Sequence, residues 1–164
     1  RILDHALTAT REGLDETRRA LKDLRASPLD DLGFTLALRN LASSSAERGG
    51  LTLNMEIADA LPAYAPEIEQ AYYRVAQEAL DNVLRHAEAH TITVKLAQTG
   101  TQLRLTVADD GMGLPVDSED ADAQFGIQGM EERAALIGGT LTIDTYPDVG
   151  TTVVLHSNNV KLAT

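Results

Sequence analysis

The chain has 164 residues, 43% of them apolar, no cysteine and no tryptophan, and a formal net charge of −11. That length fits one domain, or one domain plus an accessory helix, around an aliphatic core. Disulfides, cysteine ligands and cysteine nucleophiles are excluded, and the acidic balance disfavours direct binding to nucleic acid or to an anionic membrane surface.

A phosphorylated ligand would need a metal ion and local donors to overcome that field. No apolar run approaches the roughly 20 residues of a membrane span, and no signal-peptide pattern opens the chain. The start at Arg1, without Met, reads as that of an excised piece, with any membrane anchor lying upstream.

The spacing predicts a first helix over about Leu3 to Arg25. Leu3, Leu7, Thr10, Leu14, Thr17, Leu21 and Leu24 form a heptad seam that should pack against other helices, in a second copy or on the chain's own domain. Ser27 to Gly33 reads as a break, because Pro28 disfavours helix before it and Gly33 marks a turn. A second helix follows over Phe34 to about Arg48, ended by Gly49 and Gly50. Leu51, Leu53, Met55 and Ile57 alternate with polar residues as in a half-buried strand.

Pro66 stands where prolines open helices, and a third helix is expected from about Glu67 to Ala87. Two strands come next, Ile92 to Leu96 and Leu103 to Val107, joined by a hairpin turn at Gln98 to Thr101. Asp109 to Gln124 is rich in Gly, Asp and Ser and reads as a long functional loop. A short helix is expected over about Ile127 to Ile137, closed by Gly138 and Gly139. The strands Thr140 to Thr145 and Thr151 to His156 then form an antiparallel pair, and the tail from Ser157 carries no pattern. Helices and strands in this order predict an α+β two-layer sandwich, helices on a mixed, mostly antiparallel sheet.

Four islands carry chemistry. Glu78, Asn82 and Arg85 are spaced four and three apart, so an α-helix puts them on one face. A carboxylate, an amide oxygen and a cation there suit a hydrated Mg²⁺ and a phosphate chain; alone, they also suit a solvated face. Asp109, Gly111 and Gly113 follow a buried strand. The acid can accept from an exocyclic amino group while the glycines allow close backbone approach to a flat ring; alone, this is also a plain Gly-rich turn. Gly126 and Gly129 lead toward a helix whose free N–H groups could cradle phosphates. Gly150 and Thr151 open the last strand, where a hydroxyl could reach the same base as Asp109, though strand threonines are common.

Together these islands closely resemble the ATPase domain shared by gyrase, the Hsp90 chaperone, histidine kinases and MutL. Glu78 and Asn82 match its N box, and Asp109, Gly111 and Gly113 its first glycine box. Gly126 and Gly129 match the second, and Gly150 with Thr151 the last. The likeness covers about Leu51 to Leu155. Leu24 to Gly33 with Leu36-Ala37-Leu38, and Gly129 to Ala134, resemble the nitrate-sensor type of bacterial two-component histidine kinase.

That resemblance implies ATP and Mg²⁺ as cofactors and phosphoryl transfer to a histidine. Asp109 and Thr151 would hold adenine, Asn82 and Glu78 the metal, and Arg85, Gly126 and Gly129 the phosphates. It also implies a lid over Leu114 to Gln124, and domains over 1–26 (second dimerisation helix), 27–156 (catalytic) and 157–164 (tail). The expected setting is a homodimer with its catalytic portion in the cytoplasm, anchored in the inner membrane or not. Its partner would be a response regulator with a LuxR-like helix-turn-helix.

The family's phosphoacceptor is a His followed by an acid. His5 is preceded by Asp4 and lies on the wrong helix, so it reads as a surface histidine and the piece as inactive in autophosphorylation. Asp148 stands where the family often has Gly, a position Asp tolerates. Two alternatives share the pocket: an anti-sigma-factor-like serine kinase, and a nucleotide-binding scaffold without catalysis.

Overall fold

The computed structural model describes residues 28–113 and 121–163. The chain divides into two compact units, Arg1–Gly33 and Phe34–Thr164. The helix expected over Leu3 to Arg25, with His5, lies outside the described residues. In the first unit, the stretch expected as a break is a short helix, α1 (Pro28–Leu32). Proline's fixed φ suits an opening turn. Gly33 stops α1 at φ +74, its N–H donating to the Leu29 carbonyl at 2.9 Å.

The second unit begins with α2 (Phe34–Gly49), β1 (Thr52–Ile57) and α3 (Pro66–Asn82). It continues with β2 (Thr91–Thr99), β3 (Gln102–Asp109), α4 (Ala121–Leu136), β4 (Thr140–Tyr146) and β5 (Gly150–Ser157). The five strands form one sheet in the order β1-β2-β3-β5-β4. Only β1 and β2 run parallel; the other three pairs are antiparallel. This is the expected sandwich, with helices against one sheet face.

Strand alternation decides which face that is. Ile92, Val94 and Leu96 of β2 and Leu103, Leu105 and Val107 of β3 are all buried, as are Val153 and Leu155 of β5. They meet Ile68, Tyr72, Val75 and Ala79 along α3, which are buried too. Three of the six aromatic residues meet at one point. The Phe34 ring meets Tyr64 and Tyr72 edge-on, at 6.1 and 6.4 Å between centroids. The Tyr72 hydroxyl donates to the Leu103 carbonyl at 2.8 Å, which satisfies a phenol buried against the sheet. Burial pushes its pKa up to about 12. On the other face the polar alternates are exposed or half-buried; Lys95 and Glu56 pair there at 2.7 Å, an exposed bridge of little energetic weight.

Three expectations are corrected. α3 ends at Asn82 and continues as a π turn, Val83–Ala87, rather than as regular α-helix; Glu88, at φ +49, stops it. α4 begins at Ala121, six residues before the expected Ile127, because Ala121 to Phe125 contains no residue that breaks a helix. The tail also pairs: Ala65 N–H donates to Lys161 at 3.0 Å and Ala163 N–H to Ala63 at 2.9 Å. These bonds join two segments with no periodic pattern of their own. At its other end α4 closes on Gly138 (φ +65), with Gly139 N–H to Ala134 at 2.8 Å and Gly138 N–H to Ala135 at 3.0 Å, a Schellman pattern.

Candidate functional site

β3 carries apolar side chains inward until Asp109, where the strand ends half-buried. The Asp109 carboxylate accepts the Gly111 N–H at 2.8 Å and the backbone N–H of Thr151. Burial raises its pKa above the ordinary 3.8; the two N–H bonds act the other way without cancelling it, and the neighbouring Asp110 charge adds to the rise. A half-desolvated carboxylate held by two backbone donors is a fixed acceptor seeking a further partner.

Asp110 does the opposite job. It accepts the N–H groups of His90 and Thr91, each at 2.8 Å, and these bonds, Thr91 foremost, lower its pKa. It therefore ties the loop to the start of β2.

Glycine lets the backbones close around Asp109. A Cβ on Gly111 would collide with the Ala87 carbonyl oxygen, and one on Gly150, at φ +116, with the Asp109 carbonyl oxygen. The Ala87 carbonyl accepts the Met112 N–H at 2.8 Å. The π turn that carries Ala87 is thereby fastened to the loop after β3. Such turns, with their extra residue, recur at functional sites. Asp148, at the turn position it was expected to tolerate, adopts φ +59, and its N–H donates to the Met112 carbonyl at 3.1 Å.

Between these parts lies a cleft, partly open to solvent. Ala79, Val83 and Ala87 wall it on the helical side, Val107 and Val153 on the sheet, and Met130 on α4. The polar groups on its lining are Asn82, Asp109 and Thr151. Apolar walls with a few convergent polar atoms suit a flat heterocycle held at one edge.

The structure brings Asn82, Asp109, Gly113 and Thr151 to the cleft and sets Gly111 beside them. Glu78 lies one turn before Asn82, half-buried. Its carboxylate rests against Gly126, where an added Cβ would fall 2.6 Å from Oε1. Arg85 is exposed and off the cleft lining, because the π turn breaks the α spacing that would have aligned it with Glu78 and Asn82. Gly126 and Gly129 are interior to α4 rather than at its start, so their N–H groups sit in the helical ladder and are not free. Sequence reasoning missed Ala87, whose contribution is a carbonyl oxygen that any residue carries. It also missed Met130, fully buried at the cleft wall.

No group of three or more His, Asp, Glu or Cys among the described residues could cage a metal ion. Asn82 and Glu78, one turn apart on α3, nonetheless offer two oxygen donors. That donor set fits Mg²⁺, which keeps several waters and takes substrate phosphates into its shell.

Residues 67–160 match the family described as histidine kinase-, DNA gyrase B- and HSP90-like ATPase. The chain belongs to this ATPase family. Its curated relatives carry the names of histidine kinases. It is 32% identical over 160 residues to the histidine-protein kinase/phosphatase DegS of Brevibacillus brevis, covering 93% of this chain and 41% of that protein. It is 37% identical to the sensor histidine kinase MctS of Rhizobium johnstonii, over 92% of this chain and 33% of that one. The oxygen sensor histidine kinase NreB of Staphylococcus carnosus is 34% identical, over 87% and 41%. The chain thus spans between a third and about two fifths of these relatives.

Among solved structures, the histidine kinase domain of the Erythrobacter litoralis EL346 blue-light-activated kinase superposes with a TM-score of 0.65 at 23% identity. The match covers 77% of this chain and 61% of that one. Acinetobacter baumannii histidine kinase AdeS also gives 0.65, at 14% identity, covering 97% and 85%. At such identities these two matches speak for the fold of the ATPase family.

Proposed function

We propose that the chain binds Mg-ATP in this cleft and presents the γ-phosphoryl group to a histidine nitrogen outside its own four histidines. The observation that carries this is the convergence of Asp109, Thr151 and Asn82, from three separate elements, on one apolar cleft.

Asp109 accepts a hydrogen bond from the adenine amino group, and the Thr151 hydroxyl helps at the ring edge. Asn82 holds the metal directly through its amide oxygen, while Glu78 positions water or metal, or assists proton removal from the attacking histidine. Asn82 and Glu78 would hold magnesium, which would supply positive charge to offset that developing on the phosphates. Arg85, Gly126 and Gly129 steady the phosphates. For the two glycines this requires the opening turns of α4 to unwind, which their poor helix propensity makes inexpensive. Catalysis is then chiefly positioning and charge stabilisation.

The full protein, on this reading, is a homodimeric sensor kinase whose catalytic portion lies in the cytoplasm. It passes the phosphoryl group to a response regulator with a LuxR-like helix-turn-helix. Three relatives named as histidine kinases support it over a serine kinase or an inert scaffold. Incubation with γ-labelled ATP tests it. Mg-ATP should bind saturably by calorimetry, without acid-labile label on the chain itself. Absence of binding at millimolar Mg-ATP would remove the kinase reading.

A further inference from the structure

Cross-strand pairs on the inner face of β4 and β5 change character toward the cleft. Leu141 faces Leu155 and Ile143 faces Val153, both aliphatic pairs; the next pair is Thr145 with Thr151. Their hydroxyl oxygens lie 3.2 Å apart. Thr151 lines the cleft and is only 7% exposed. Thr145 stands behind it, off the cleft lining. The backbone of Gly113, at φ +78, closes over this position: a Cβ there would fall 3.0 Å from the Thr145 hydroxyl. The Thr151 hydroxyl is thus backed by a second hydroxyl where the inner-face pattern would otherwise continue with an aliphatic pair.

We infer that Thr145 is a positioning residue that sets the donor direction of the Thr151 hydroxyl and thereby adds to purine recognition. This rests on the adenine-nucleotide reading of the cleft. Beside the amino group taken by Asp109, adenine presents N1, a ring acceptor. A hydroxyl can donate to N1 while its own oxygen accepts from another donor. Thr145 supplies that donor, so Thr151 keeps its proton directed at the base. Without Thr145 the hydroxyl rotates freely, and part of the ordering is lost at each binding event.

The test uses the 164-residue chain with two probes, ADP and 1-deaza-ADP, which keeps the amino group and phosphates but replaces N1 by C–H. Thr145→Val preserves size and strand propensity while removing the hydroxyl. Thr145→Ser keeps it. Calorimetry should show wild type preferring ADP over 1-deaza-ADP, and Thr145→Val weakening ADP about fivefold, the scale of one neutral hydrogen bond. Its 1-deaza-ADP affinity should stay within about twofold, so the preference collapses, and Thr145→Ser should restore it. Equal loss of both ligands in Thr145→Val, an unchanged ADP affinity, or failure of the serine variant to restore the preference would overturn the inference. Wild type binding neither probe would instead overturn the nucleotide site itself.

Discussion

The amide of Met112 donates to the carbonyl of Ala87 across 2.8 Å, and this bond joins the loop that starts at Asp109 to the π turn that ends α3. Two of the chain's four islands, Glu78–Asn82 and Asp109–Gly113, are held in register through it. The contact depends on Gly111, whose missing side chain leaves room for the same carbonyl.

Gly111→Ala should therefore be costly for a change of one methyl. The new Cβ meets backbone, which has little freedom to retreat. We expect destabilisation of about 1–3 kcal/mol, the range for overpacking, with loss of ADP binding. Thermal unfolding and calorimetry on the same sample measure both. A variant with wild-type melting and affinity would mean that the loop does not depend on this approach.

Asp109→Asn should separate stability from binding. The raised pKa of Asp109 means that the unliganded fold favours the protonated acid. Its contribution is fully present below the unfolded value of 3.8 and is lost as pH rises through the higher folded value. At neutral pH the ionised group is a liability, so the asparagine variant should melt no lower than wild type. ADP affinity should fall about 10- to 100-fold, as for a hydrogen bond to a charged group.

The same titration predicts opposite pH trends from adjacent residues. ADP affinity should drop as pH is lowered toward 3.8, because Asp109 takes up its proton above that value. Asp110, with its pKa lowered, stabilises the fold above 3.8 and loses that contribution only as pH falls through its lower folded value. Binding should thus fail before the contribution of Asp110 to the fold is lost. Parallel calorimetry and unfolding between pH 7 and pH 3 follow the two. Coincident loss would contradict this order.

Gly126→Ala and Gly129→Ala should stabilise α4 by about 0.5–1 kcal/mol each, as alanine does inside a helix. The atoms a new Cβ would meet, Glu78 Oε1 at 2.6 Å and an Arg133 nitrogen at 2.9 Å, are the far ends of flexible side chains. If α4 must open for the phosphates, both variants should melt higher and bind ATP more weakly, with less effect on adenosine. Higher melting with unchanged ATP affinity would release these glycines from phosphate binding.

Asn82→Ala should lose metal dependence specifically. ATP affinity with Mg²⁺ should fall about tenfold, the effect of losing one hydrogen bond or ligand to a charged group, while affinity in EDTA stays near that of wild type. Titrations in the two buffers decide it; an equal drop in both would place Asn82 on the base or ribose instead.

The sequence by itself determined the periodic elements and the order of the polar islands. Alternation in Ile92 to Leu96 and Leu103 to Val107 is carried by side-chain identity, so a strand's buried face could be read directly, and with it the acid at the strand's end. Helix periodicity likewise marked the core face of α3. Only the tertiary structure decided the π turn, the early start of α4, the pairing of the tail and the backing of Thr151 by Thr145. The π turn and the tail pairing rest on backbone N–H and carbonyl groups, which every residue but proline supplies alike and no residue type announces. The last joins two common strand residues whose meaning comes from the partner across the ladder and from the cleft beside them.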